Sequence, residues 1–151
     1  MIRILFVCHG NICRSPMAEF ILKDMVSKKR FQDDFLIDSA AVSYEEEGNS
    51  IYPPAKRTLE AHRIPIGCHK AHRIEKDDYD KYDLIIGMDE SNIQNIYRII
   101  GSDPDKKVHK LLDFTNNPRD ISDPWYTRDF ECAYKEIYEG VENLLKMAVS
   151  K

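Results

Sequence analysis

Ile2-Arg3-Ile4-Leu5-Phe6-Val7-Cys8-His9-Gly10-Asn11-Ile12-Cys13-Arg14-Ser15-Pro16 is the stretch that decides the fold. Ile2 to Val7 is apolar enough to be a strand buried on both faces, as parallel sheets require. After the loop, Pro16 suits the first turn of a helix, and Ser15 just before it suits the cap. Met17, Ala18, Phe20, Ile21, Leu22, Met25 and Val26 then recur at helical spacing to about Ser27, and Lys28-Lys29-Arg30 close the helix in keeping with its dipole. A thiol, Cys8, therefore sits where a strand ends and a helix begins, with Arg14 six positions later. Backbone N–H groups of such a loop, together with the helix N-terminus, converge on one concavity that favours an anion. Arg14 closes it with a planar fork matched to phosphate oxygens, and the same surroundings favour a thiolate. The stretch reads as a phosphate cradle with a nucleophile in its floor.

Outward from the loop, Phe35 to Ala40 reads as a second strand, and Val42 to Ile51, with Glu45-Glu46-Glu47-Gly48-Asn49, as a polar loop. Pro53-Pro54 opens a second helix to about His62, broken by Ile64-Pro65-Ile66-Gly67. His69 to Ile74 reads as a short extended piece, and Asp77-Asp78 starts a helical turn in the polar stretch Lys76 to Tyr82. Tyr82 to Met88 contains a third buried strand around Leu84-Ile85-Ile86, ending at Asp89. Glu90 to Ile100 puts Ile93, Ile96, Tyr97 and Ile100 on one face of a helix that Gly101 stops. Val108 to Leu112 is a fourth short strand, Asp113 to Tyr126 a loop, and about Arg128 to Met147 a last helix. Strand–helix alternation predicts an α/β fold: a single three-layer α/β/α domain over residues 1–151, Rossmann-like and doubly wound, with a four-stranded parallel sheet. Ligands of such sheets bind outside the carboxyl ends of the strands. The Cys8 loop, Ser39-Ala40 and Asp89 all fall there.

At 151 residues, with 42% hydrophobic and 32% charged residues, the composition is that of one soluble domain. A formal charge of -4 argues against a nucleic-acid binder, which needs a basic face. No apolar run approaches the roughly eighteen residues of a membrane span. Met1-Ile2-Arg3 enters a strand with no basic-then-apolar leader, so a cytoplasmic location is expected. Cys8, Cys13, Cys68 and Cys132 are too irregularly spaced for a disulfide framework or a zinc knuckle. Cys68 and Cys132 read as structural.

Attack of a thiolate on phosphorus needs a proton for the leaving oxygen, and the acid must come from elsewhere in the chain. Asp123-Pro124-Trp125-Tyr126 fits: proline stiffens the turn behind a carboxylate, and two aromatics can flank a flat ring. By pattern alone Asp123 also reads as a simple Asp-Pro turn, and Trp125 and Tyr126 as packing. Within the loop, Gly10 permits tight curvature or close approach to the ligand, and Asn11 either holds the loop through its side chain or forms the turn. The Ser15 hydroxyl can donate to the Cys8 sulfur as well as cap the helix.

Cys8-x5-Arg14-Ser15, in the form V-C-H-G-N-I-C-R-S-P, together with D-P-W-Y, resembles the low-molecular-weight protein tyrosine phosphatases. The resemblance extends over essentially the whole chain, including I-D-S-A-A-V-S at Ile37 to Ser43, H-K-A-H at His69 to His72 and M-D-E-S-N at Met88 to Asn92. It implies hydrolysis of phosphotyrosine and small aryl phosphate monoesters through a phosphocysteine intermediate, without metal or cofactor. Cys8 would be the nucleophile, Asp123 the general acid and base, and Arg14 with the loop residues His9, Gly10, Asn11, Ile12, Cys13 and Ser15 would bind phosphate, with Trp125 and Tyr126 beside the ring. Asn11, Ser15, Ser39 and His69 match the family's loop-shaping hydrogen-bond network. Cys13 would form a protective disulfide with Cys8 under oxidation. Inorganic phosphate and similar oxyanions are expected ligands of the loop, and a monomer or weak dimer is expected.

Three departures from the family stand out. His9 replaces an apolar residue, Trp125 replaces a tyrosine common in eukaryotic members, and Glu45-Glu46-Glu47 makes one side of the rim acidic and unfavourable to acidic substrates. The runner-up reading is a thiol-dependent arsenate reductase of the same fold, which needs two closely spaced relay cysteines downstream. Cys68 and Cys132 stand alone. A phospho-dependent binding module would need neither thiol nor acid, and a redox device made of Cys8 and Cys13 would be regulation laid over the enzyme.

Overall fold

The structure, a computed structural model, describes residues 1–150. Four strands, β1 (Ile2–Cys8), β2 (Phe35–Ala41), β3 (Leu84–Gly87) and β4 (Val108–Lys110), form one sheet. Between and after them run α1 (Arg14–Lys28), α2 (Pro53–Ala61), the short α3 (Asp78–Lys81), α4 (Glu90–Ile100), the one-turn α5 (Pro124–Thr127) and α6 (Phe130–Val149). The strand order is β2-β1-β3-β4 and every pairing is parallel.

The unbroken apolar run of β1 has a direct cause. Ile4 and Phe6 point to a core shared with α1, α2 and α6, while Leu5 and Val7 point to a second core with Ile96 and Ile100 of α4. A central strand covered on both faces cannot alternate apolar and polar residues. The chain leaves β1 toward β2 on one side, and β3 and β4 lie on the other. Strand order therefore reverses between β1 and β3, and a crevice opens beyond their carboxyl ends. Cys8 ends one of these strands, and Met88 and Asp89 follow the other.

Several local expectations change. α1 begins at Arg14, with Cys13 at the cap position making no side-chain cap bond, so Ser15 is not the N-cap. Its hydroxyl is engaged by the sulfur of Cys8 instead. β3 is confined to Leu84–Gly87, and His69 to Ile74 contributes only an isolated bridge between Ala41 and Arg73. On α4, Ile96 and Ile100 are buried but Tyr97 is exposed. β4 stops at Lys110 because Leu111–Phe114 turns into a 3₁₀ segment that packs its buried leucines on α6. The last helix starts at Phe130 rather than Arg128: Arg128 takes a left-handed φ of 61° at the end of α5, and the Asp129 carboxylate accepts the Cys132 N–H at 2.9 Å as the cap of α6. Cys68 and Cys132 are exposed, which removes a core role for either. Among the described residues no helix is long and apolar enough to cross a membrane.

Candidate active site

The loop from Cys8 to Arg14 is held from outside by its carbonyls. Val42 N–H donates to Cys8 O, Ser43 N–H to His9 O, Tyr52 N–H to Ile12 O and Met17 N–H to Cys13 O, at 2.8 to 3.2 Å. The His69 ring reaches Asn11 O at 2.7 Å through Nε2. Among the described residues all peptide bonds are trans, and a trans peptide sets each C=O opposite to the following N–H. With those five carbonyls tied down on the outside, the N–H groups of His9, Gly10, Ile12, Cys13 and Arg14 face the other way, into the crevice. The reversal is made by Asn11, whose φ is 59°, and not by Gly10, which needs no left-handed conformation.

Behind the loop lies a chain of hydrogen bonds whose direction, as far as Ser15, is fixed by its far end. Glu19, buried in the first half of α1, accepts from Ser39 Oγ at 2.5 Å. A carboxylate only accepts, so Ser39 donates its one proton there and must itself accept from Asn11 Nδ2, 2.9 Å away. The second proton of that amide goes to Ser15 Oγ at 2.8 Å, and Asn11 Oδ1 accepts from His72 N–H at 3.3 Å. Ser15 Oγ then faces Cys8 Sγ at 3.0 Å, and Ser15 N–H points at the same sulfur from 3.4 Å. Glu19 thus fixes the Asn11 amide, which leaves the Ser15 proton to Cys8 Sγ or to Ala40 O, 3.5 Å away. The other oxygen of Glu19 is paired with Lys23 at 2.6 Å.

Arg14 is buried and binds three acceptors at once: Asp89 at 2.9 Å, Asp123 at 3.3 Å and the carbonyl of Ile121 at 2.9 Å. Burial pushes its pKa down, but Cys8, Asp123 and Asp89 together more than offset that and hold the guanidinium above its ordinary value. It stays charged. Burial also pushes the Cys13 thiol up, and the neighbouring Cys8 pushes it further. Asp89 caps α4 through Asn92 N–H at 2.8 Å while bracing Arg14, so one carboxylate starts a helix and aims a guanidinium. Asp123 Oδ1 accepts the Trp125 N–H at 3.0 Å and caps α5.

The resulting pocket is lined by Cys8, His9, Gly10, Ile12, Cys13, Arg14, Asp123, Trp125 and Tyr126, with Glu45 and Glu46 on the β2–α2 side. The structure thus brings every pocket residue anticipated from sequence to one place, except Asn11 and Ser15, which stand behind the loop with Ser39 and His69. Trp125 and Tyr126 are exposed at the mouth, and the Tyr52 ring lies 5.0 Å from that of Trp125. His9 pairs with Glu45 at 3.0 Å across the rim. Glu19 and the backbone of Ile121 are not among the residues expected from the sequence, and Asp89 is expected near the site without a role. The available signal for Glu19 was an acid set between Ala18 and Phe20 in a stretch otherwise apolar. No group of three or more His, Cys, Asp or Glu side chains suited to a metal occurs among the described residues.

The chain matches the family description of the low molecular weight phosphotyrosine protein phosphatases over residues 3–151. It is 36% identical over 147 residues to the low molecular weight protein-tyrosine-phosphatase YfkJ of Bacillus subtilis, covering 96% of this chain and 94% of that one. It is 39% identical over 155 residues to the low molecular weight phosphotyrosine protein phosphatase of Saccharomyces cerevisiae, with the same coverage of both chains. The crystal structure of YfkJ superposes with a TM-score of 0.96 at 35% identity, over 99% of this chain and 96% of that one. A Drosophila arginine phosphatase superposes with a TM-score of 0.87 at 31% identity, over 96% of each chain. The chain belongs to the low molecular weight phosphotyrosine protein phosphatase family.

Proposed function

We propose that the protein hydrolyses phosphotyrosine and small aryl phosphate monoesters through a phosphocysteine intermediate. The observation that carries this reading is the placing of Cys8, Arg14 and Asp123 on one pocket, with Arg14 bonded to Asp123. Inward N–H groups and Arg14 bind the non-bridging oxygens of the phosphate. The Cys8 sulfur, steadied by Ser15, attacks phosphorus in line with the ester oxygen. The phosphorus–oxygen bond breaks as Asp123 passes its proton to the departing phenolate. Water then attacks phosphorus, Asp123 takes its proton, the sulfur–phosphorus bond breaks and inorganic phosphate leaves. Trp125 and Tyr126 flank the ring of the substrate. A peroxide would oxidise the Cys8 thiolate to a sulfenic acid with release of hydroxide, and attack by the Cys13 thiol would then form the disulfide with loss of water.

The test is hydrolysis of an aryl phosphate by the wild type, Cys8→Ser and Asp123→Ala. Cys8→Ser should abolish turnover. Asp123→Ala should lose about a hundredfold or more on esters with poor leaving groups and less on activated ones. Full activity in Cys8→Ser sinks the mechanism. The same assay run on a phosphoarginine peptide separates the two substrate classes named among the relatives. No observation favours the arsenate reductase, since neither exposed cysteine has a second cysteine near it in sequence to form a relay.

A further inference from the structure

No helix or strand holds the chain between Phe114 and Pro124, yet this segment ends in Asp123. On the side of the sheet, Ile121 fixes it: its N–H donates to Met88 O at 2.9 Å and its carbonyl accepts from Arg14 at 2.9 Å. Asp120 is tied to Glu90 N–H and to Lys110, both at 3.1 Å, and on the opposite side two carboxylates of α6 reach the segment: Glu139 pairs with Arg119 at 3.6 Å, and Glu136 alone reaches Ser122. Glu136 Oε1 accepts both the N–H of Ser122 at 3.1 Å and its hydroxyl at 2.8 Å. Glu136 Oε2 pairs with Arg119 Nε at 3.4 Å. The two oxygens of one side chain therefore grip the segment at two points, the nearer being the residue just before Asp123. Glu136 is 17% exposed and does not line the pocket.

We propose that Glu136 is a positioning residue for the proton-transfer step, an inference that rests on reading Asp123 as the general acid. A general acid works only within hydrogen-bond reach of the leaving oxygen, and a displacement of about 1 Å can cost up to about a hundredfold in rate. Arg14 pulls Asp123 inward through Oδ2, and the Trp125 N–H holds Oδ1. Those contacts orient the carboxyl; the chain before it is fixed at Asp120 and Ile121, and at Ser122, next to Asp123, by Glu136. Without Glu136 the residue before Asp123 loses both of its bonds to α6, and the carboxyl is no longer held at the position of the leaving oxygen.

The test is kcat/KM, which reports the steps up to cleavage of the ester, measured over aryl phosphates of graded leaving-group pKa. Glu136→Ala should lose about tenfold or more on phenyl phosphate and less than about twofold on p-nitrophenyl phosphate, so that the dependence on leaving group steepens. Glu136→Gln keeps an acceptor for Ser122 but turns an NH₂ toward Arg119, and should fall between. Ser122→Ala removes only the shorter bond and should steepen the dependence less than Glu136→Ala. In an Asp123→Ala background, Glu136→Ala should steepen nothing further. A purely structural role lowers kcat/KM equally for all esters, so an unchanged slope in both Glu136 variants overturns the proposal. If Asp123→Ala itself leaves the slope unchanged, the assignment of Asp123 as the acid has failed instead.

Discussion

Asn11 is the residue whose replacement separates the two things that hold the loop. It is fully buried, sits at φ 59°, and spends both amide protons and its oxygen on Ser15, Ser39 and His72 at 2.8, 2.9 and 3.3 Å. Asn11→Ala removes two buried hydrogen bonds and a partly buried one, worth about 1 kcal/mol each. It also forces an alanine into the left-handed region, which costs about 1 kcal/mol more than asparagine pays there. The sum is about 4 kcal/mol, a large share of the roughly 5–15 kcal/mol that keeps a domain folded. Asn11→Gly loses the same bonds but tolerates the backbone, so it should be destabilised by about 3 kcal/mol. Equilibrium urea unfolding measures both. Catalysis should suffer in both variants beyond the fraction unfolded, because Ser15 loses the donor that fixes its hydroxyl beside Cys8. Equal destabilisation of the two variants would refute the backbone argument. If both stayed within about 0.5 kcal/mol of the wild type, the idea that the network stabilises the loop would be wrong.

Two further outcomes follow from sites away from the pocket. A methyl added at Gly140 would sit 2.5 Å from Cγ of the buried Leu111 and 3.1 Å from both its methyls, so Gly140→Ala should destabilise by about 1–3 kcal/mol. In a Leu111→Ala background the same change should become neutral or stabilising, since alanine favours a helix interior by about 1 kcal/mol over glycine; denaturant midpoints decide it. Asp103 accepts from the Tyr79 hydroxyl at 2.7 Å and from the N–H groups of Lys107 and Val108 at 2.7 and 3.0 Å. Burial alone would raise its pKa, but those three donors more than offset it and hold the carboxyl below its ordinary 3.8. The unfolded chain therefore binds that proton more readily, so the contribution of Asp103 is complete above about pH 4 and fades as pH falls through the lower native value. Asp103→Asn should cost about 2 kcal/mol at pH 7 and flatten the acid limb of a stability–pH profile; an unchanged limb refutes it.

How much was legible in the sequence depends on whether the cause of a feature is local. β1 was readable because burial on both faces of a central strand forces the run Ile4 to Val7, and α4 because Ile93, Ile96 and Ile100 recur at helical spacing up to Gly101. Ser15 misled because two partners compete for one hydroxyl. The helix-start pattern is local, whereas the 3.0 Å approach of Cys8, seven residues back, exists only once the loop has closed. Arg128 misled because nothing in an arginine announces a left-handed φ, although Asp129 ahead of Phe130 was a usable sign of the true cap. Glu19 needed the sheet: Ser39 lies twenty positions away and comes under the loop because β2 pairs with β1 in the register that sets it opposite Phe6. Glu136 is the extreme case. Its partners Arg119 and Ser122 lie in a segment with no period of its own, so no pattern in either segment points to the other. Segments without periodicity take their shape from side chains on elements that have it. The position of Asp123 is therefore set by contacts from Arg14, Met88 and Glu136, far from one another in the chain, and a reading confined to D-P-W-Y could single out Asp123 but not what holds it.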